Sequence, residues 1–135
     1  MKKIMLSISV LSILFFIIGI SNEALAKKTE KTEAYEFLES LDPVIYKEYD
    51  QATDNIREKI KYKDLQNILE NKGIQKMVSK SIYSGYPKID SNSEIYFYAT
   101  WKDSKEEFYF KYAIFDAKTK KQIVSGSDFA LKNKK

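Results

Sequence analysis

Carboxylates are the residues of this chain that come closest to catalytic chemistry, because two facing carboxyl groups can hydrolyse a glycosidic bond. Glu106 and Glu107 are adjacent in the sequence, and adjacent strand residues point to opposite faces of a sheet. Asp116 and Asp128 meet only if neighbouring strands bring them together, which no spacing specifies. We interpret all four as solvated surface groups and rank a carboxylate-based glycan hydrolase as the lowest alternative function.

The composition excludes most other catalytic chemistry. The 135 residues include no histidine and no cysteine. This removes cysteine–histidine and serine–histidine nucleophiles and the usual zinc, copper and haem ligand sets. The four glycines form no phosphate-binding loop, and the aspartates lack EF-hand spacing. The sequence therefore predicts a protein that is not an enzyme and has no metal and no cofactor.

The most unusual stretch is residues 94–115, which hold nine aromatic side chains in 22 positions. Two strong strand patterns, 94–102 and 107–116, flank a four-residue loop at 103–106. That loop pairs Trp101 with Phe108 and Ile95 with Ile114. Strand alternation then gathers one apolar face that should be buried against helices: Ile95, Phe97, Ala99, Trp101, Phe108, Phe110, Tyr112 and Ile114.

The opposite face of this predicted hairpin combines tyrosine with lysine. Ordinary β-propensity explains such a face, and so does cover from the N-terminal segment or the basic tail. A third interpretation is a solvent-facing patch for a partner, because tyrosine is enriched in interfaces. On that hypothesis the contact residues are Tyr96, Tyr98, Tyr109 and Lys111.

The N-terminus has the pattern of a secretory signal peptide. Lys2 and Lys3 precede the uncharged run Ile4–Ile20, and an A-x-A box ends at Ala26. A retained membrane anchor is the alternative, at the lower limit of length for a span. We predict a signal peptide at 1–26, cleavage near Ala26, secretion, and a single α+β domain at 27–135, helical over 32–72 and β over 75–131.

The helical half of that domain contains three predicted helices. Apolar three- and four-residue steps indicate helices at 32–41 and 43–61, either separate or joined as one kinked rod at Asp42-Pro43. A third helix is predicted at 63–71, with Gly73 suited to the left-handed position that ends it.

The β half begins with a candidate strand at 75–83 and a turn-rich segment at 84–93. The hairpin follows, then a turn at 117–121 and a last strand at 122–131 that should be broken or bulged near Gly126. The predicted fold class is α+β, with N-terminal helices packed on one face of an antiparallel meander of three or four strands.

The charge is weakly basic, with a formal net charge of +4 and a single arginine, Arg57. A nucleic-acid binder would concentrate its cations on one face, so we predict no nucleic-acid partner. Weak electrostatic association with an anionic surface remains open. Several lysines near strand ends either ring a site for an acidic partner or keep the edges from aggregating: Lys102, Lys105, Lys118, Lys120 and Lys121.

The order of elements resembles the cystatin-like and NTF2-like folds, in which a helix lies across a curved sheet. The leader "MKKIMLSISVLSILFFIIGISNEALA" and the Lys/Tyr-rich, cysteine-free chain after it resemble small secreted proteins of staphylococci and their relatives. Residues 122–126, "QIVSG", match the cystatin pattern Q-x-V-x-G. They fall at the start of the last predicted strand and not in a hairpin loop, so we do not infer protease inhibition from them.

These observations favour a secreted, non-enzymatic binding protein of a Gram-positive bacterium, such as a host-directed inhibitor or virulence-associated factor. Its expected partner is a macromolecule, and a protein is the first expectation. The main alternative is an envelope-associated structural protein held at the cell surface by its basic residues, which high salt would release.

Overall fold

The computed structural model describes residues 22–76, 78, 82 and 88–132, so most of the predicted signal peptide lies outside the described residues. Helix α1 covers residues 22–40. Strand β1 follows at Asp54–Lys61, and a 3-10 turn at Tyr62–Asp64 leads into helix α2 at Leu65–Asn71. The remaining strands are β2 at Glu94–Asp103, β3 at Glu107–Asp116 and β4 at Gln122–Leu131.

The four strands form one antiparallel sheet in the order β1-β2-β3-β4, which confirms the predicted α+β class. The β2–β3 hairpin keeps the predicted faces, but its register differs by two residues. Trp101 is opposite Phe110, not Phe108. Ser104 explains the shift, because its hydroxyl accepts the Glu107 N–H at 3.0 Å and places the turn one residue later. An even shift preserves every side chain's face.

The first face of the sheet is closed by α2 and by the helical residues after it. Ile95, Phe97 and Trp101 lie in one buried cluster with Leu65 and Leu69 of α2. Helix α2 ends at Asn71, and Gly73 takes the predicted left-handed conformation beyond it, with a φ of +71°. The Ile74 N–H donates to the Leu69 carbonyl at 3.2 Å, the bond of a Schellman motif.

Two predicted elements are wrong. The helix at 43–61 is absent, since residues 46–49 have no regular secondary structure and Asp54–Lys61 is a strand. Ile56 and Ile60 are four residues apart, a step that keeps one face in a helix and in a strand alike. The strand at 75–83 is also wrong where the chain is described, because positions 75, 76, 78 and 82 are helical.

The second face is covered at one end by α1, so helices lie on both sides of the sheet and not on one side as predicted. Ala34, Phe37 and Leu38 of α1 pack on Tyr96 and Tyr98 in a second cluster. Among the described residues no helix is long and apolar enough to cross a membrane.

The irregularity of β4 lies at Ile123, where the pairing shifts between Ile114 and Phe115, and not at Gly126 as predicted. Gly126 pairs regularly with Tyr112. A Cβ atom at position 126 would lie 2.8 Å from the Tyr112 ring. Glycine is therefore required there so that the Tyr112 ring can lie over the strand.

Candidate binding surface

The structure separates the four predicted contact residues into two groups. Tyr96 and Tyr98 are fully buried, which corrects the expected solvent-facing position of both. Tyr109 is 38 % exposed, and Lys111 is half-buried two residues along the same face. The second face of the sheet therefore has a covered end and an open end.

The covered end is held by specific contacts with α1. The Tyr98 hydroxyl donates to the Ala34 carbonyl at 2.7 Å, and burial raises the pKa of that phenol far above its usual range. The Phe37 ring centroid lies 4.8 Å from that of Tyr96, and the Lys120 ammonium donates to the Tyr96 hydroxyl. Two of the predicted contact residues are thus part of the fold.

Residues 41–53 run from α1 to β1 across the same face. Tyr46 is buried in the second cluster. The Glu48 carboxylate accepts hydrogen bonds from Nε and Nη2 of Arg57, at 2.6 and 2.5 Å, and these bonds raise the pKa of Arg57. The single arginine is therefore held by an internal carboxylate, as part of the structure.

The open end carries a mixture of lysine and exposed rings. The Lys111 ammonium lies 4.5 Å from the centroid of the Tyr49 ring, and the Lys102 ammonium lies 5.6 Å from it. Burial, and then the nearby charge of Lys47, lower the pKa of Lys111. Phe129 of β4 is 47 % exposed, and its ring centroid is 4.8 Å from that of Tyr109.

We name this surface the cationic aromatic patch: Tyr49, Lys102, Tyr109, Lys111 and Phe129. Sequence reasoning found Tyr109 and Lys111 but missed Tyr49, which it placed in a helix. It also missed Phe129, although alternation along β4 places Phe129 beside Tyr109. The position of Tyr49 had no local signal, because it depends on a hydrogen bond from its N–H to the Thr100 hydroxyl at 3.2 Å.

Asp116 and Asp128, the candidate carboxylates on neighbouring strands, are not brought together. Asp116 is the last residue of β3. Asp128 of β4 pairs with Phe110, which lies near the start of β3. Thr119 and Lys118 donate backbone N–H groups to the Asp116 carboxylate at 2.7 and 2.9 Å, and the Thr119 bond is the main reason for its lowered pKa. The Asp128 carboxylate accepts the Phe129 N–H at 2.8 Å, so both carboxylates are used locally.

Other candidate chemistry is not supported by the described part of the chain. It contains no group of three or more acidic side chains placed to hold a metal ion. Residues 122–126, "QIVSG", lie within β4 and not in a hairpin loop. The arrangement that remains is a surface of rings and ammonium groups.

Comparison of the chain with protein-family models, with curated proteins and with solved structures finds no match.

Proposed function

We propose that this is a secreted, non-enzymatic binding protein of a Gram-positive bacterium that contacts a host or surface macromolecule through the cationic aromatic patch. The observation that supports it most is the contrast within one sheet face. Helix α1 buries Tyr96 and Tyr98, yet Tyr109 and Phe129 remain exposed on the same face.

The patch is organised in advance of binding. The Tyr109 hydroxyl donates to the Glu107 carboxylate at 3.1 Å, which fixes the direction of the ring. The Lys111 ammonium is held against the Tyr49 ring. Rings with few rotatable bonds lose little entropy when they bind, and two ammonium groups favour a partner that presents carboxylates or other anions.

Secretion is proposed from the leader pattern at residues 1–26. Residues 22–29 of α1 are exposed in the structure. Cleavage after Ala26 would therefore leave the contacts between α1 and the sheet intact. N-terminal sequencing of the protein recovered from the growth medium tests this step.

The binding proposal is tested by retention of proteins from host serum, neutrophil secretions and bacterial wall extract, at low and high salt. The informative variant is Tyr109→Ser. Its matched control is Tyr35→Ser, because Tyr35 is 37 % exposed on α1, outside the patch. We expect a salt-resistant host protein whose affinity falls more than about fivefold in Tyr109→Ser, as for a tyrosine hot spot, and hardly changes in Tyr35→Ser.

Equal retention by Tyr109→Ser and the native chain would contradict the assignment of the patch. Retention by wall material alone, released by salt, would favour the envelope-associated alternative, since exposed charge attraction is screened.

A further inference from the structure

The outer edge of β4 exposes unused backbone groups. The Lys132 N–H donates to the Glu106 carbonyl at 2.8 Å, and inward hydrogen-bonding residues alternate in an antiparallel pair. The residues whose N–H and C=O point away from β3 are therefore Ser125, Ser127, Phe129 and Leu131. Among the described residues, the one partner of these groups is the Asp128 carboxylate, which accepts the Phe129 N–H at 2.8 Å.

The side chains of β4 do little to protect this edge. Asp128 is its single charged residue, whereas natural edge strands commonly carry several charges against pairing. Leu131 is 67 % exposed and Phe129 is 47 % exposed. An open edge with a single charge and exposed apolar side chains is a template for another strand.

We propose that the β4 edge binds β4 of a second copy of this chain, antiparallel, with the two-fold axis at Ser127. This register places Ser127 opposite Ser127 of the second copy, Ser125 opposite Phe129, and Ile123 opposite Leu131. Such a contact is isologous and closed, because both copies use the same strand.

The groups that this register brings together favour a second copy of this chain as the partner of the β4 edge. A groove of about 240 Å³ beside β4 is lined by Ile45, Tyr46, Lys111, Tyr112, Ser125, Gly126 and Ser127. A two-fold axis perpendicular to the sheet leaves the second face of both copies on the same side of the joined sheet. Phe129 of the second copy would therefore lie beside this groove. Ile45, which is 49 % exposed, would then contact that ring.

Charge also selects the register. With the axis at Ser127, Asp128 is opposite Gly126 of the second copy, which has no side chain. Two neighbouring registers also keep the backbone groups matched. The one with its axis at Gly126 sets Phe129 opposite Ile123, beyond the groove at Ser125 to Ser127. The other has its axis at Asp128. It sets two carboxylates directly opposite each other, which is destabilising.

The consequence is a continuous sheet of eight strands with two cationic aromatic patches on one face. Self-association does not depend on the proposed function, and either can fail without the other. The contact is small, so we expect a reversible dimer that forms between about 1 µM and about 500 µM.

For the test, the full chain is expressed from Met1 in a bacterial host, and the protein is purified after the host has processed it. Sedimentation equilibrium should show the weight-average mass rising from one chain to two across that concentration range. Ser127→Pro removes an N–H that points away from β3 and keeps the hydrogen bonds to β3. The variant should therefore keep the mass of one chain at every concentration, and its thermal transition should be unchanged.

A cysteine pair tests the register even if the proline variant does not fold. The native chain has no cysteine, so each variant carries a single thiol. In the proposed register the Ser127→Cys Cα atoms are about 5.5 Å apart, within disulfide range. The Ser125→Cys Cα atoms are about 15 Å apart, beyond that range.

Under mild oxidation, Ser127→Cys should form a covalent dimer at least about tenfold faster than Ser125→Cys, given these separations. Equal rates would overturn the register. A native chain that keeps the mass of one copy at every concentration would overturn the proposal and leave the edge to a strand of another protein.

Discussion

Tyr98 and Tyr109 occupy the same face of one sheet, on neighbouring strands, and have opposite surroundings. Tyr98 lies beneath α1 with its hydroxyl bonded to the Ala34 carbonyl. Tyr109 is exposed, and its hydroxyl is bonded two residues away to Glu107. Strand alternation determines the face of a residue, whereas a distant part of the chain determines whether that face meets solvent.

This difference implies different roles for similar residues. The buried rings are large contributors to folding, because each removes a large area from water. The exposed rings are available to a partner and contribute little to folding. Substitutions at the two ends of the face therefore separate stability from binding.

The largest expected difference is between Tyr98→Ala and Tyr109→Ala. Tyr98→Ala leaves a cavity in the second cluster and should reduce the free energy of unfolding by about 3–5 kcal/mol, as for other large buried rings. Tyr109→Ala should reduce it by less than about 1 kcal/mol, because the ring is exposed. Urea denaturation of both variants measures this, and similar losses would mean that the two ends are not distinct.

A smaller difference is expected when only hydroxyl groups are removed from the covered end. Tyr98→Phe loses its bond to the Ala34 carbonyl and should cost about 1–2 kcal/mol. The Tyr46 hydroxyl is buried without a hydrogen-bond partner among the described residues. Tyr46→Phe should therefore leave the free energy of unfolding unchanged or increase it. A clear loss in Tyr46→Phe would reveal a partner outside the described residues.

The smallest effect concerns the ion pair that joins α1 to β1. The Lys59 ammonium lies 2.7 Å from the Glu33 carboxylate, and this bond lowers the pKa of Glu33. A lowered folded pKa gives a stabilisation that is present above the ordinary carboxyl pKa and lost as pH falls through the folded value. Because Glu33 is partly exposed, the loss should stay below about 1 kcal/mol.

Glu33→Gln should remove that part of the acid dependence, measured as the melting temperature between about pH 6 and about pH 2. The matched control is Glu36→Gln, exposed on the same helix. An unchanged pH profile in Glu33→Gln would show that the pair does not hold α1.

Local pattern was sufficient for part of the fold. The bounds of β3 and β4 were predicted correctly, as were the α+β class and the helix end at Gly73. Each depends on neighbouring residues: alternation, turn chemistry, or a glycine with positive φ. The two faces of the hairpin were also correct, because a register error of two residues leaves them unchanged.

Non-local packing accounts for the errors. Residues 54–61 have apolar steps that fit a helix, and only pairing with β2 makes them a strand. On the second face of the sheet, Tyr96 and Tyr98 have the same local pattern as Tyr109. No neighbouring residue indicates that α1 covers the first two.

The bond between Tyr98 and Ala34 spans 64 positions of the chain, which has a consequence for the order of folding. The ribosome synthesises α1 well before β2, so the helix exists before the sheet face that it covers. Strands β2, β3 and β4 are joined by short turns and can pair early, while contacts between distant positions form slowly. We expect α1 to dock late, after an interval in which both ends of this face are open to water.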